Sequence, residues 1–251
     1  LSDFLAAVLA LPGSWQLWAA LFATAIAGLM RGYAGFGTAI ILAPVYSALW
    51  EPRAGVPVLL LLELVVSIQL LPRAFKDADR RVILPIGGAA CLATPIGTFV
   101  LLAADPDLLR RFIGGFVLVF GALLMSGWRY HGTRPLPLNV AVGTSAGLLK
   151  GATGMSGPPV ILYLLSGPEE ARQHRANLIL FFGLIAIVSV LGPALGGLFT
   201  WAVLAKVVWI LPIQMLCVRI GAGLFHVVPI RLYKPFAMAV LLASGSFALL
   251  V

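Results

Sequence analysis

Apolar residues are gathered into ten segments: 15–30, 38–50, 54–72, 82–104, 109–128, 138–149, 158–168, 176–198, 202–225 and 235–251. Long uncharged runs extend from Val82 to Ala104 and from Ala176 to Ala205, and about 20 helical residues suffice to cross a bilayer core. The pattern predicts an all-α polytopic membrane protein. The polar stretches, Arg73 to Arg81 and Trp128 to Pro135, are loop-sized, so no soluble domain is expected.

The segments divide five and five around the basic loop at Arg129 and Arg134. This predicts a first transmembrane repeat over 1–134 and a second over 135–251, together forming one membrane domain. An odd number of segments per half makes the second half start from the opposite side, so the halves are expected to be inverted repeats. Duplication is visible directly: Ala27-Gly28-Leu29-Met30-Arg31-Gly32-Tyr33-Ala34-Gly35 returns 119 residues later as Ala146-Gly147-Leu148-Leu149-Lys150-Gly151-Ala152-Thr153-Gly154. A weaker echo links Ile96-Gly97 to Ile220-Gly221.

The apolar run before the second motif, 138–149, would make a helix of roughly 18 Å at 1.5 Å per residue, against a core of ~30 Å. Each motif is therefore expected at the tip of a glycine-tipped hairpin of half-helices, with three spanning helices completing each repeat.

Composition agrees: 61% of residues are apolar and 10% charged, and mean hydropathy is +1.05. The net charge of +8 changes the picture little, because the cations sit in short loops, where they set membrane orientation rather than bind nucleic acid. Threading Arg73, Lys76, Arg80 and Arg81 to the cytoplasm places Arg129, Arg134, Arg172, Arg175, Arg231 and Lys234 there too. Only Arg53, Arg110, Arg111 and Lys206 then fall on the other side, near acidic Glu51, Asp105 and Asp107. The first residues have no basic stretch and no small-residue cleavage site, which argues against a removed signal peptide. Trp15, Trp18, Trp50, Trp128 and Trp201 flank segments and suit an interfacial belt in contact with lipid.

Candidate chemistry concentrates at the duplicated motif. Glycines 32, 35 and 37, and 151, 154 and 157, release the backbone from helical geometry. The half-helix that follows would offer unpaired N–H groups and a positive dipole end to an anion. Ser156 adds a hydroxyl, Thr38 is its counterpart, and Pro158-Pro159 suits a first helical turn. Close helix packing is the alternative role for such glycines. Arg31 and Lys150 occupy equivalent positions, and a cation at mid-membrane costs at least ~2.5 kcal/mol; a bound anion, nearby carbonyls or snorkelling would compensate.

Glu63, deep in its segment, is a candidate proton carrier or an ion-pair partner for Arg219. Gln69, Asn177 and Gln214 are expected to hydrogen-bond between helices. Cys91 and Cys217 have no metal-ligand spacing and read as small packed residues. His131, His174 and His226 are scattered. No catalytic triad, phosphate loop or paired-carboxylate motif appears, so no enzyme activity, cofactor or metal is expected.

Gly35-Phe36-Gly37 followed by Pro44, and Gly154-Met155-Ser156-Gly157-Pro158-Pro159, resemble the two glycine motifs of the sulfite exporter TauE/SafE family. The resemblance covers nearly the whole chain. It implies secondary transport of small sulfur-containing anions such as sulfite, sulfoacetate or other sulfonates, commonly outward across a bacterial inner membrane. The family's glycine-rich positions fall on Gly35, Gly37, Gly154 and Gly157, with Ser156 and Thr38 as departures that leave the substrate open. The expected substrate site comprises Arg31, Gly35, Phe36, Gly37, Thr38, Lys150, Gly154, Met155, Ser156 and Gly157. An anion channel and a non-transporting accessory protein are the alternatives.

Overall fold

A computed structural model describes residues 2–126, 130, 132, 134–164 and 170–224. Among them are ten α-helices, one 3-10 turn at Leu11–Gly13 and no strand. The helices are α1 (Ser2–Ala10), α2 (Trp15–Ala34), α3 (Thr38–Trp50), α4 (Pro52–Asp77) and α5 (Arg80–Ala103). They continue with α6 (Pro106–Met125), α7 (Leu136–Thr153), α8 (Gly157–Leu164), α9 (Ala171–Leu195) and α10 (Trp201–Leu224). Five of the described helices are long and apolar enough to cross a membrane. The apolar segment 235–251 and the loop 226–234, with His226, Arg231 and Lys234, lie outside the described residues, as do Trp128, Arg129 and His131.

Apolar side chains point both ways. Leu92, Phe99, Phe22, Val119 and Leu195 are exposed on the outside, as a lipid-facing surface requires. Polar Thr24, Glu63, Lys150 and Asn177 are buried inside. Hydroxyls in the apolar helices bond to the preceding turn: Thr94 Oγ1 donates to the Ala90 carbonyl at 2.7 Å and Thr153 Oγ1 to that of Leu149 at 2.7 Å, which satisfies them without a partner helix. Prolines 44, 57, 72, 85, 95, 193 and 212 lie inside helices, a placement membrane helices tolerate where neighbours re-satisfy the freed carbonyls.

Two helix pairs are built alike. A side chain at Gly28 or Gly32 of α2 would strike backbone or Cβ atoms of α10 at Gln214, Cys217, Val218 and Ala222. One at Gly147 or Gly151 of α7 would strike the backbone of α5 at Ala90, Thr94 and Thr98. Likewise Gly221 lies against the Leu29 carbonyl and Gly97 against the Leu148 carbonyl. Residue for residue, α2 on α10 repeats α7 on α5, so the faint Ile96-Gly97 and Ile220-Gly221 echo marks an equivalent contact. Gly32 and Gly151 are therefore mid-helix packing residues, not backbone breaks; their missing side chains let two helix backbones touch.

Helices α4 and α9 pack together at the centre and run antiparallel. Asp77 at the end of α4 accepts from Arg172 Nε at the start of α9 at 3.0 Å, while Gly183, farther along α9, faces Leu71, farther back in α4. The Asn177 side-chain oxygen accepts from the Asp79 backbone N–H at 2.7 Å, at the entry to α5. Arg134 Nη2 donates to the Leu164 carbonyl at 2.9 Å, so the basic segments around residues 77–79 and 170–175, and around 134 and 164, are each tied by direct contacts. At the far ends of α4 and α5, Arg53 Nη2 donates to the Leu102 carbonyl at 2.8 Å, and Lys206 lies 5.2 Å from the Trp50 ring centroid.

Two departures from the sequence pattern have simple causes. Helix α1, absent from the ten segments, is a short apolar piece cut off by Pro12-Gly13; it is held by Trp209, whose Nε1 donates to the Val8 carbonyl at 3.0 Å. The helices before the glycine motifs are also longer than their apolar runs. α7 has 18 residues and α2 has 20, about 27 and 30 Å at 1.5 Å per residue. A run of apolar letters ends at a cation, but a helix continues through one whose charge is held inside. The helix before each motif is thus the longer of the two that flank it: α3 has 13 residues and the described part of α8 has 8.

Candidate functional site

The two motifs adopt the same local structure. Each long helix ends on a left-handed glycine, Gly35 with φ 82° and Gly154 with φ 77°, the conformation that closes a helix C-terminus at low cost only for glycine. The Gly35 N–H donates to the Arg31 carbonyl and the Gly154 N–H to the Lys150 carbonyl, both at 2.9 Å. Arg31 Nη1 in turn donates to the Gly35 carbonyl at 2.9 Å, and Lys150 Nζ to the Gly154 carbonyl at 3.1 Å. Each cation therefore sits in the last helical turn, where the dipole favours it, and binds the carbonyl that the turn exposes. Neither snorkels: Arg31 is 1% exposed and Lys150 0%.

Beyond that shared frame the two cations differ. Lys150 Nζ donates to Glu63 Oε2 at 2.7 Å, and both side chains are buried. Glu63 thus pairs with Lys150, not Arg219, which is exposed on α10. Arg31 lies over the Phe182 ring, with Cζ 4.5 Å from the centroid, a cation–π contact. Its Nε and Nη2 have no hydrogen-bond partner among the described residues.

A recess brings the two motifs together. Arg31, Gly37, Ala39, Ile40, Glu63, Gly157 and Phe182 line about 190 Å³ of space between atoms, none of it wide enough for a water molecule. Gly157 has no side chain to separate it from Ile40 and Phe182: a Cβ there would come within 3.5 Å of both. Gly37, with φ 111°, opens α3, and Gly157 opens α8, so the starts of α3 and α8 face the same space.

Of the residues singled out from sequence, Arg31, Gly37, Gly157 and Glu63 reach the recess. Thr38 Oγ1 and Ser156 Oγ are buried beside it in the chain and have no partner among the described residues. Gly35 packs toward Arg175 and Ile179, and Gly154 toward Leu59 and Val56; these two set the turns rather than line the space. The N–H groups of Gly35 and Gly154 are taken by their helices, and that of Met155 donates to Thr153 Oγ1 at 3.2 Å. In α8, Pro158 and Pro159 have no N–H to offer. α3 starts without proline, so its first N–H groups have no partner within the helix.

Phe182 was not foreseen. Its signal lay in the repeat: Phe182 stands 119 positions after Glu63, as Lys150 does after Arg31, and each is the twelfth residue of its helix. Gln214 was expected to bond between helices, yet its side-chain atoms have no partner among the described residues. Among the described residues no group of His, Cys, Asp or Glu could hold a metal ion.

Comparison with known proteins adds identity. Residues 20–248 match the family described as Sulfite exporter TauE/SafE. A protein of Cupriavidus necator described as "Probable sulfite/organosulfonate exporter TauE" is 28% identical over 199 residues, covering 74% of this chain and 75% of its own length. No solved structure matches.

Proposed function

From the premise that this multi-pass membrane chain belongs to the sulfite exporter TauE/SafE family, we propose a secondary transporter that moves small sulfur-containing anions outward across a bacterial inner membrane. Sulfite, sulfoacetate and other organosulfonates are the substrate class, supported by the family and by the similarity to the Cupriavidus necator exporter. The observation that carries the site is Arg31, a buried guanidinium with two unpartnered donor atoms beside a recess where both glycine turns converge. A guanidinium presents a planar fork of donors suited to an oxyanion. The hydroxyls of Thr38 and Ser156 complete the shell.

Transport proceeds by alternating access, one repeat (1–134) rocking against the other (135–251). Two features support an inverted relation between them. The α2/α10 and α7/α5 contacts match pairwise, and the equivalent helices α4 and α9 run antiparallel in contact. Because the recess has no room for a water molecule, its walls must part to admit an anion.

Glu63 is the proposed proton carrier. It faces Lys150 from α7 and shares the recess with Arg31 from α2; a proton on the carboxylate would break its pair with Lys150 and change the charge that the recess presents. Glu63→Gln is expected to retain flux per folded molecule and lose its pH dependence. An unaltered pH profile would remove Glu63 from coupling.

The deciding experiment is flux of sulfite, sulfoacetate, taurine, sulfate and chloride into proteoliposomes of the purified protein. Saturable movement of sulfite and the organosulfonates is expected. Conducted current would make the protein a channel, and no flux would make it an accessory subunit.

A further inference from the structure

We infer that the site takes a singly charged anion, held by Arg31, because Glu63 cancels Lys150 and leaves one positive charge facing the recess. The inference rests on the transport reading and narrows it: hydrogensulfite and simple sulfonates carry one charge, whereas sulfoacetate, with a carboxylate besides its sulfonate, and the sulfite dianion carry two and are disfavoured.

The argument starts from the repeat. Arg31 corresponds to Lys150, and Glu63 to Phe182. Each cation reaches the equivalent position of the opposite half: Lys150 of the second meets Glu63 of the first, and Arg31 of the first meets Phe182 of the second. The geometry is duplicated and the chemistry is not. Until Glu63 takes up a further proton, Lys150 and Glu63 at 2.7 Å are neutral together wherever the shared proton resides, and an arginine keeps its charge in any protein environment. Among the described residues Arg31 forms no direct ion pair: Glu63, the acidic residue at the recess and close enough to feel its charge, is hydrogen-bonded to Lys150.

The helix ends lean the same way. At α8 the Pro158-Pro159 pair removes two N–H donors, while α3 begins with Thr38, Ala39 and Ile40, whose N–H groups have no partner within the helix. Ala39 and Ile40 line the recess with Arg31. Donors and unmatched charge are thus on the first half's side, and the counter-charge that a dianion would need has already been taken up by Glu63. A sulfonate or hydrogensulfite head, three oxygens carrying one charge, fits this arrangement.

The test is binding of methanesulfonate, a monoanion, and sulfate, a dianion, to the purified full-length protein and to variants shown to be folded by a cooperative thermal transition. The parent is expected to prefer methanesulfonate. Arg31→Gln should weaken it about ten- to a hundredfold, the scale of a lost hydrogen bond to a charged group. Phe182→Glu, which gives Arg31 the partner that Lys150 has, should do the same, and should weaken binding more than Phe182→Gln, which changes the same side chain without adding a charge. Glu63→Gln should shift the preference toward sulfate by about tenfold or more, and Glu63→Gln with Lys150→Gln should return it to the parental ratio. Parental binding in Arg31→Gln, or a parental ratio in Glu63→Gln, would overturn the inference while leaving an anion transporter. Should the parent move no anion in liposomes, the transport reading itself fails.

Discussion

The two glycine turns are copies in backbone and unequal in charge balance. Both end a long helix on a left-handed glycine, and both tie a buried cation to that glycine's carbonyl. One cation then meets a carboxylate and the other an aromatic face. Duplication thus supplies a repeated frame, and divergence at one position, Glu63 against Phe182, makes the two sides chemically unequal. In the proposed transport cycle the frame serves movement and the inequality serves recognition.

The largest expected effect tests the inequality through stability. Lys150→Gln strands a buried carboxylate, and breaking a buried pair in this way costs about 3–5 kcal/mol. Arg31→Gln deletes a cation that has no direct ion pair and leaves Glu63 still bound to Lys150, so it should cost less, despite losing the Gly35 carbonyl bond and the Phe182 contact. Thermal unfolding in detergent compares the two directly. Equal losses would mean that Arg31 is as fully paired as Lys150, and the comparison would break.

Next in size are the hydroxyls. Removing a hydrogen bond to an ionised group costs roughly 1.5–3 kcal/mol, so Ser156→Ala or Thr38→Ala should weaken sulfonate binding by about tenfold or more. Both oxygens are buried without a partner among the described residues, and with the anion held at Arg31, on the α3 side, Thr38→Ala should be the more damaging. Isothermal titration of the purified variants ranks them. A larger loss from Ser156→Ala would move the anion to the α8 side and toward Lys150.

Much of this was legible in the sequence because hydrophobic runs and the 119-residue repeat are local signals. Nine of the ten apolar segments correspond to α2 through α10, and Arg31, Glu63 and Lys150 stand out as charges inside apolar sequence. The partner of Glu63 was not legible. Lys150 is 87 residues away, and no periodicity ties a carboxylate on one helix to a cation three helices later; Arg219, chosen for lying in another apolar run, faces outward. Phe182 looked like any core aromatic, and only carrying the repeat offset onto Glu63 would have singled it out. The roles of the glycines also divided in a way composition hides. Gly32 and Gly151 bring helix backbones together, whereas Gly35 and Gly154 turn the chain.

The smallest expected effect tests the symmetric frame. Gly35→Ala and Gly154→Ala each force a side chain into the left-handed region, which costs an L-residue about 1–2 kcal/mol. The surroundings add similar and modest crowding, since the new methyl group would meet Arg175 Cγ at 3.0 Å in one half and Leu59 Cδ2 at 2.9 Å in the other. Both contacts are to side-chain atoms that can shift, so the backbone term should dominate and the two losses should agree within about 0.5 kcal/mol, the usual tolerance for independent sites. Because each turn also fixes the carbonyl that holds its cation, a disparity would show that one turn is braced by its charge more than the other. Chemical or thermal unfolding of the two single variants measures this. Near-equal values, set beside unequal values for Lys150→Gln and Arg31→Gln, would place the asymmetry in the side chains at the recess and leave the backbone turns as true copies.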